Sequence, residues 1–183
     1  AQLAADGAVI SGDLESRLEA IVRATPNLMH VLTTVRALDP PDWLIFSGAV
    51  YQPVLNHLTG RPADYGIKDY DLGYFDASDI SYEAEDVVIR KVAAAFEPPF
   101  REMVEVRNQA QVHLWFEQRF GEAYAPLTSS AEALNRFTST VFAVGVRLEP
   151  DASLAIEAPF GLEDLFAMRL RPNPVRRGAG FQR

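Results

Sequence analysis

The sequence predicts an α/β domain of the α+β type, in which helices flank a mixed β-sheet. Three observations carry that prediction: two amphipathic segments lead the chain, short apolar strands then alternate with helical segments, and two alternating runs near the C-terminus predict a β-hairpin. Because each element must bury its apolar face against another, this order favours one sheet covered by helices. We expect leading helices before the sheet and a hairpin–helix extension after it.

The composition indicates a single compact domain with a substantial core. The chain has 183 residues, 48% of them hydrophobic, and no cysteine. The missing thiols exclude disulfides, thiol catalysis and zinc–thiolate sites. A net charge of −8 argues against broad, non-specific binding to DNA through a basic surface. No apolar run reaches the ~20 residues of a membrane span, and the N-terminus resembles no secretory signal, so we expect a cytoplasmic protein without a membrane partner.

The leading segment, residues 1–40, predicts two helices packed on the core. Residues 13–23 place an apolar stripe on one helical face, formed by Leu14, Leu18, Ile21 and Val22. Thr25 and Pro26 then suit an N-cap followed by proline at the first helical position. The second helix would carry Leu28, Met29, Leu32 and Val35 inward and end before Asp39.

The central segment, residues 41–125, predicts the sheet and the functional core. "LIFSG" reads as a buried strand, and the helix after it would start near Tyr51 or Gln52, because Pro53 is tolerated only in a first turn. Gly60 would cap that helix, and "DYDLGYF" is the next strand. A helix then runs to about Phe96, with Val88, Val92, Ala95 and Phe96 facing inward. "MVEVR" predicts a strand through Val106, followed by a bend and "QVHLWF".

The segment 126–174 predicts a helix, a hairpin and a last short helix. Ser129 and Glu132 have the spacing of a capping box for a helix through Phe137. "VFAVGVRL" and "SLAIEA" alternate on either side of a tight turn, and "FGLEDLFAMRL" is amphipathic and ends before Pro172. Residues 175–183 are rich in Gly and Arg and lack apolar periodicity, so we expect a flexible tail.

The pair of acids in "KDYDLGYF" predicts a metal site. A strand places Asp69 and Asp71 on the same face, because side chains alternate with period two. Their mutual repulsion would be offset by a divalent cation, and hard carboxylate oxygens suit Mg²⁺ or Mn²⁺. The alternative interpretation is an ordinary turn or cap at the start of a strand.

Two further segments fit the same chemistry. The run Ser47–Gly48–Ala49 joins a strand to a helix, where glycine lets the backbone approach a phosphate and the first amide groups point towards it. Glu105 lies between two valines of a strand and would point away from the core, where it would complete a carboxylate triad if that strand lies beside "DYDLGYF". Glu105 would then bind metal and act as a base. The alternatives are a plain strand-to-helix turn and a solvated strand residue.

The stretch "FSGAVYQPVLNHLTGRPADYGIKDYDLGYF" resembles the signature of the nucleotidyltransferase superfamily, whose members share a polymerase-β-like fold. That signature has a glycine followed by Gly or Ser, then Asp-x-Asp on a strand after a helix, and a later lone acid. Residues from Trp43 to about Pro174 also resemble a bacterial family of uncharacterised nucleotidyltransferases, in which segments like "IKDYDLGYFD", "VRNQAQVHLWF" and "RPNP" recur together. The resemblance implies that Gly48 is the motif glycine, Asp69 and Asp71 are the metal aspartates, and Glu105 is the third acid.

The chain departs from the signature at two places. Ala49 stands where the superfamily prefers Gly or Ser, so a serine hydroxyl is missing there. The first part also looks like the Gly-Gly-x-Val-Arg-Asp motif of tRNA CCA-adding enzymes, but Tyr51 and Gln52 replace its Arg-Asp pair. That replacement argues against a CCA-adding role.

Several other polar residues are candidates for the nucleotide or its acceptor. Arg61 and Lys68 flank the acids and would contact the triphosphate, although as loop charges they would equally be inert. "RNQAQVH" would form a pocket wall through the polar side chains of Arg107, Asn108, Gln109, Gln111 and His113. The alternative is a bent strand whose side-chain amides satisfy backbone groups.

These observations predict a magnesium-dependent nucleotidyltransferase that joins a nucleoside monophosphate, taken from a nucleoside triphosphate, to a hydroxyl group. The acceptor would be a small molecule, an RNA or a protein. Two alternatives remain: a non-catalytic nucleotide-binding or protein-interaction module of the same fold, favoured by Ala49, and an antitoxin-like enzyme that modifies a partner protein.

Overall fold

A computed structural model of the chain describes residues 2–175, with side chains from residue 13 onwards. Residues 176–183 of the predicted tail lie outside this part. Within it, the helices are α1 (Gln2–Arg23), α2 (Pro26–Leu38), α3 (Gly48–Thr59), α4 (Tyr82–Ala94), α5 (Phe100–Met103), α6 (His113–Phe120), α7 (Ser130–Ala133) and α8 (Glu163–Phe166). The strands are β1 (Leu44–Phe46), β2 (Tyr70–Tyr74), β3 (Val104–Asn108), β4 (Gly145–Leu148) and β5 (Leu154–Glu157).

The strands form one mixed sheet in the order β3-β2-β1-β4-β5. Strands β2 and β3 are parallel, whereas β1 pairs antiparallel with both β2 and β4, and β4 with β5. This sheet, flanked by helices, confirms the predicted fold class. The β4–β5 hairpin is also confirmed, although β4 starts at Gly145 and leaves the preceding Val141–Val144 outside the strand.

The two faces of the sheet have different roles. On one face, Ile45, Leu72 and Val106 pack into the main hydrophobic core. The leading helices complete that core with side chains of the predicted apolar stripes, among them Leu14, Leu18, Val22, Leu28, Leu32 and Val35. The opposite face carries a smaller apolar cluster that includes Leu44 and Phe46. Because this second face is only partly covered, its polar side chains are accessible.

The start of α3 differs from the prediction. The helix begins at Gly48 rather than near Tyr51, so Pro53 lies inside it and not in its first turn. The carbonyl of Ser47 accepts hydrogen bonds from the amides of Val50 (2.9 Å) and Tyr51 (3.1 Å), which fixes the earlier start. Pro53 therefore leaves the Ala49 carbonyl without its usual helical donor. Burial of the surrounding apolar side chains offsets that loss.

The segment "QVHLWF", for which the sequence predicted no particular element, is mostly helical, because a 3₁₀ turn (Gln109–Gln111) leads directly into α6. Val112, Trp115 and Phe116 have helical spacing. The prediction for the inward face of α4 was wrong at one residue. Ala95 is exposed rather than inward-facing because α4 ends at Ala94. The predicted helix through Phe137 consists of α7 and a 3₁₀ turn (Leu134–Arg136).

No helix within residues 2–175 combines the length and apolarity that crossing a bilayer requires. The cytoplasmic location stays a prediction.

Gly73 allows two strands and a loop to meet on the accessible face. A Cβ at this position would lie 2.5 Å from Phe46 Cε1 and 3.1 Å from Gln109 Nε2. The absence of a side chain therefore lets the Phe46 ring lie across β2, beside the strand position of Asp71.

We expect Gly73→Ala to lower the free energy of unfolding by about 1–3 kcal/mol, because the new methyl group overlaps the Phe46 ring. Chemical denaturation followed by circular dichroism measures this loss. The matched control is the double variant Gly73→Ala/Phe46→Leu, in which the shorter side chain makes room and a favourable coupling energy should appear. Strictly additive losses would contradict the steric explanation.

Candidate active site

The turn between β1 and α3 is strained. Ser47 has φ 68° and ψ −141°, a conformation that side-chain-bearing residues rarely adopt. The turn leads directly into α3, and the first amide groups of a helix have no partner within the helix. Such strain occurs at ligand-binding turns in many proteins. The predicted Ser47–Gly48 turn therefore has a geometry suited to an anion.

The parallel pairing of β2 with β3 brings two of the predicted acids together. Asp71 and Glu105 are direct register partners, so their side chains project side by side from the accessible face. The sequence condition that β3 lie beside β2 is met. Asp69 lies just before the start of β2 and is exposed, so β2 does not include it, contrary to the prediction.

The Asp71 carboxyl is the most perturbed acid of this group. Burial raises its pKa to about 6, and the charges of Glu105 and Asp69 act in the same direction. A hydrogen bond between the Asp71 and Glu105 side chains also raises it, while Arg107 opposes the shift. Arg107 offsets only part of the effect of burial and of the neighbouring acids on Asp71. A divalent metal would relieve the remaining repulsion.

The acids do not form a closed metal cage. Among the described residues, no three His, Cys, Asp or Glu side chains converge as a complete metal-binding cluster. Mg²⁺ does not require one, because it is commonly held by one or two carboxylates together with water and substrate phosphates. The oxygen donors of Asp69, Asp71 and Glu105 fit a metal of that kind.

Two clefts meet at Asp71. The first, here called the polar cleft, has a volume of about 240 Å³ and is lined by Ser47, Gly48, Tyr51, Gln52, Gly66, Ile67, Lys68, Asp69 and Asp71. The second, here called the aromatic cleft, has about 320 Å³ and is lined by Phe46, Asp71, Leu72, Glu105, Arg107, Gln109, Val112, Trp115, Phe116, Tyr124, Ala133, Arg136 and Phe137. Asp71 borders both, so the acids lie at their junction.

The predicted nucleotide-binding residues separate into two groups. Ser47, Gly48 and Lys68 line the polar cleft together with the aspartates. Ala49 instead points into the core, where it is 1% exposed. Arg61 lies with its guanidinium 4.8 Å from the centroid of the Tyr65 ring and borders a different groove. The structure therefore does not bring Arg61 or the Ala49 side chain to the acids.

The predicted pocket wall is also divided. Arg107 lines the aromatic cleft beside Glu105, with its guanidinium 5.5 Å from the Trp115 ring centroid. Asn108 is buried, and its side chain donates to the Asp76 carbonyl (2.9 Å) and accepts from the Asp76 amide (3.1 Å). This contact ties the end of β3 to the loop after β2, as the alternative interpretation expected.

Gln111 and His113 lie away from the aromatic cleft. Gln111 borders a shallower groove with Tyr82 and Arg119, and its side-chain oxygen is buried without a hydrogen-bond partner. The Nδ1 atom of His113 is likewise buried and unpaired. Neither side chain reaches the acids.

Sequence reasoning missed several lining residues. In the polar cleft these are Tyr51 and Gln52. In the aromatic cleft they are Trp115, Phe116, Tyr124 and Phe137. Gln109 of the "RNQAQVH" cluster lines the aromatic cleft, whereas Gln111 does not. The several aromatic side chains within the short, charged segment 115–124 are the sequence feature that could have indicated a binding cleft. Residues after Tyr124 carry no such feature, because only the tertiary fold brings them to the cleft.

Comparison with known proteins gives this fold and site a family. A sequence model of the nucleotidyltransferase family matches residues 33–183, which is most of the chain. The chain therefore belongs to the nucleotidyltransferase family. No curated protein sequence matches it significantly.

A solved structure supports the same assignment. It is described by the words "The NMR structure of the protein reveals a CCA-adding enzyme head domain", and it is 30% identical to this chain, with a TM-score of 0.71. The match covers 86% of this chain and 78% of that one. Family and fold together support a nucleotidyltransferase enzyme.

We expect Asp71→Asn to stabilise the protein at neutral pH when a chelator is present. The pKa of Asp71 is raised to about 6 in the folded protein, so protonation of this carboxyl favours the folded state. This contribution to the free energy of unfolding is fully present below about pH 4 and is lost as the pH rises through about 6. Removing the charge abolishes this loss. The variant should gain about 1–3 kcal/mol in free energy of unfolding at pH 8 and nothing at pH 4.

Urea unfolding at several pH values measures this difference. The control is Asp13→Asn, an exposed substitution on α1 that should change stability by less than about 0.5 kcal/mol at either pH. If Asp71→Asn were less stable than the wild type at pH 8, the Asp71 and Glu105 carboxylates would not repel each other in the folded protein.

Proposed function

We propose that this protein transfers a nucleoside monophosphate from a nucleoside triphosphate to the hydroxyl group of an acceptor, in a reaction that depends on Mg²⁺ or Mn²⁺. The position of Asp71 supports this proposal most strongly. It pairs with Glu105 and borders both a cleft with a helix start and a second, aromatic cleft. Transfer needs such an arrangement, because the leaving and attacking oxygens lie on opposite sides of the reacting phosphorus.

The polar cleft is the proposed site of the triphosphate. Its amide groups at the start of α3 and the Lys68 ammonium would contact the β- and γ-phosphates. The α-phosphorus would then lie near Asp69, Asp71 and Glu105. The acceptor oxygen forms a bond to this phosphorus, and the bond to the bridging oxygen of the β-phosphate breaks, so pyrophosphate leaves with the electron pair. Glu105 is the group placed to take the hydroxyl proton.

Asp69, Asp71 and Glu105 are the residues that would hold the metal. A bound divalent cation would neutralise charge on the phosphate oxygens and lower the pKa of the attacking hydroxyl. The Asp71 and Glu105 carboxylates would hold the cation in place, because their paired strand positions fix them beside the two clefts. Partial burial of Asp71 strengthens electrostatic interactions at this point.

The acceptor does not follow from the structural relative. That protein is described as a CCA-adding enzyme head domain, and a transfer RNA acceptor would follow only if its recognition were shared. Here Tyr51 and Gln52 occupy the positions of the Arg-Asp pair in the CCA-adding motif, and Gln52 donates to Asn56 Oδ1 (2.9 Å). We therefore propose an acceptor other than the transfer RNA terminus, within the bacterial family that the sequence resembles.

We expect Glu105→Gln to reduce metal-dependent turnover by at least about 100-fold, because it removes a metal ligand and the base. The assay follows transfer of the label from an α-labelled triphosphate to the small-molecule, RNA and protein fractions of a cell extract. Glu102→Gln, an exposed substitution three residues earlier, is the control and should retain full activity. Undiminished turnover in Glu105→Gln would contradict the assignment, and metal-dependent binding without turnover in any fraction would favour a non-catalytic nucleotide-binding module.

The Tyr51 hydroxyl is the proposed substitute for the missing serine hydroxyl. It lies 3.7 Å from the position that a Cβ on Gly48 would occupy, and it faces the polar cleft. Burial and the charge of Asp71 raise its pKa, which keeps it protonated and able to donate. Its ring packs 5.1 Å from that of Phe142, so its position is fixed.

We expect Tyr51→Phe to raise the KM for the triphosphate about 10-fold with little loss of stability, because one hydrogen bond to a charged phosphate disappears and the ring packing stays. Steady-state kinetics and thermal unfolding measure the two effects. Tyr65→Phe removes the hydroxyl of an exposed tyrosine outside the polar cleft and serves as the control. An unchanged KM in Tyr51→Phe would exclude the hydroxyl from phosphate binding.

A further inference from the structure

The aromatic cleft is lined by two pairs of packed aromatic rings. The ring centroids of Phe46 and Phe137 lie 5.6 Å apart in an edge-to-face contact. Those of Phe116 and Tyr124 lie 4.4 Å apart, and Trp115 lines the same cleft. Stacking between aromatic rings favours planar ligands over puckered ones. An apolar cleft of this kind, with a few polar groups and about 320 Å³ of space, has the properties of a small-molecule site.

Two side chains that donate hydrogen bonds lie beside the carboxylates at the acid end of this cleft. Arg107 projects from β3 on the same face as Glu105, two residues along the strand. Its ring contact with Trp115 holds the guanidinium at the wall of the cleft. Gln109 adds an amide group, which is oriented by a hydrogen bond to the Arg107 carbonyl (3.3 Å). Guanidinium groups bind carboxylates and phosphates through two parallel hydrogen bonds, so this end suits an anionic substituent.

The position of the cleft relative to the acids suits the attacking group. The polar cleft and the aromatic cleft meet at Asp71, and Glu105 borders only the second of them. If pyrophosphate leaves towards the helix start, an in-line attack must come from the side on which Glu105 lies. The hydroxyl of a molecule in the aromatic cleft would then lie next to the proposed base.

We propose that the aromatic cleft binds the acceptor and that the acceptor is a small, planar hydroxyl compound carrying an anionic group. This inference rests on the proposed function and adds the substrate class to it. The planar body stacks between the aromatic walls, the anion pairs with Arg107, and the hydroxyl faces Glu105. The alternative occupant of the aromatic cleft is the nucleoside of the triphosphate.

The test is isothermal titration of the full chain with three probes. 6-Hydroxy-2-naphthoate has the planar body, the hydroxyl and the anion, whereas 2-naphthol lacks the anion and 4-hydroxycyclohexanecarboxylate lacks the planar body. We expect saturable binding of the first probe and at least about 10-fold weaker binding of the other two. Equal binding of all three, or no saturable binding of the naphthoate, would overturn the proposal.

Arg107→Gln separates recognition of charge from general damage to the cleft. This variant should bind 6-hydroxy-2-naphthoate about 10-fold more weakly and 2-naphthol with unchanged affinity. Trp115→Leu should bind both probes more weakly. If Arg107→Gln weakened the binding of both probes, or of neither, the pairing of Arg107 with the anion would be contradicted.

A second titration distinguishes acceptor from nucleoside. The naphthoate is added to protein saturated with Mg²⁺ and a non-hydrolysable triphosphate. Simultaneous binding supports an acceptor cleft, and competition shows that the nucleoside occupies it. Failure of the proposed function would be recognised separately, because the wild-type protein would then show no metal-dependent turnover of the triphosphate, whether or not the naphthoate binds.

Discussion

The parallel register of β2 and β3 is the constraint on which the proposed site depends, because it holds the Asp71 and Glu105 carboxyls side by side. Backbone hydrogen bonds fix this register, so the two side chains cannot separate without breaking the sheet. Burial and like charge raise the pKa of Asp71 to about 6 as a consequence. A fold selected only for stability would avoid such a pair, and sites that oppose stability in this way are typical of functional residues.

The surrounding structure keeps this pair at the junction of two clefts. Gly73 lets Phe46 cross β2, which builds one wall of the aromatic cleft next to Asp71. On the other side, the buried side chain of Asn56 donates to the carbonyls of Ala63 (2.9 Å) and Tyr65 (2.8 Å), and so anchors the loop that leads to Asp69. Buried, fully paired amides of this kind specify one arrangement of a loop. The clefts are therefore features of the packed fold and do not belong to any single motif.

Local sequence patterns predicted most elements because their causes are local. The apolar stripes of α1 and α2, the αL cap at Gly60 and the N-cap at Ser129 follow from helical periodicity and capping chemistry. One error was the start of α3. Hydrogen bonds from the amides of Val50 and Tyr51 to the Ser47 carbonyl start the helix three residues before the position that Pro53 suggests.

The sequence by itself determined the alternation of elements from the periods of its apolar residues, and the outward direction of Glu105 from the period of a strand. Strand period does not place Asp69 beside Asp71, because β2 begins only at Tyr70. Tertiary structure alone decided that β3 lies beside β2, that Ala49 and Arg61 do not face the acids, and that Tyr51 does. It also assembled the aromatic cleft from β1, β3, α6 and the segment around Phe137. Residues so far apart in the chain meet only when a common core forms, and no local period encodes that meeting.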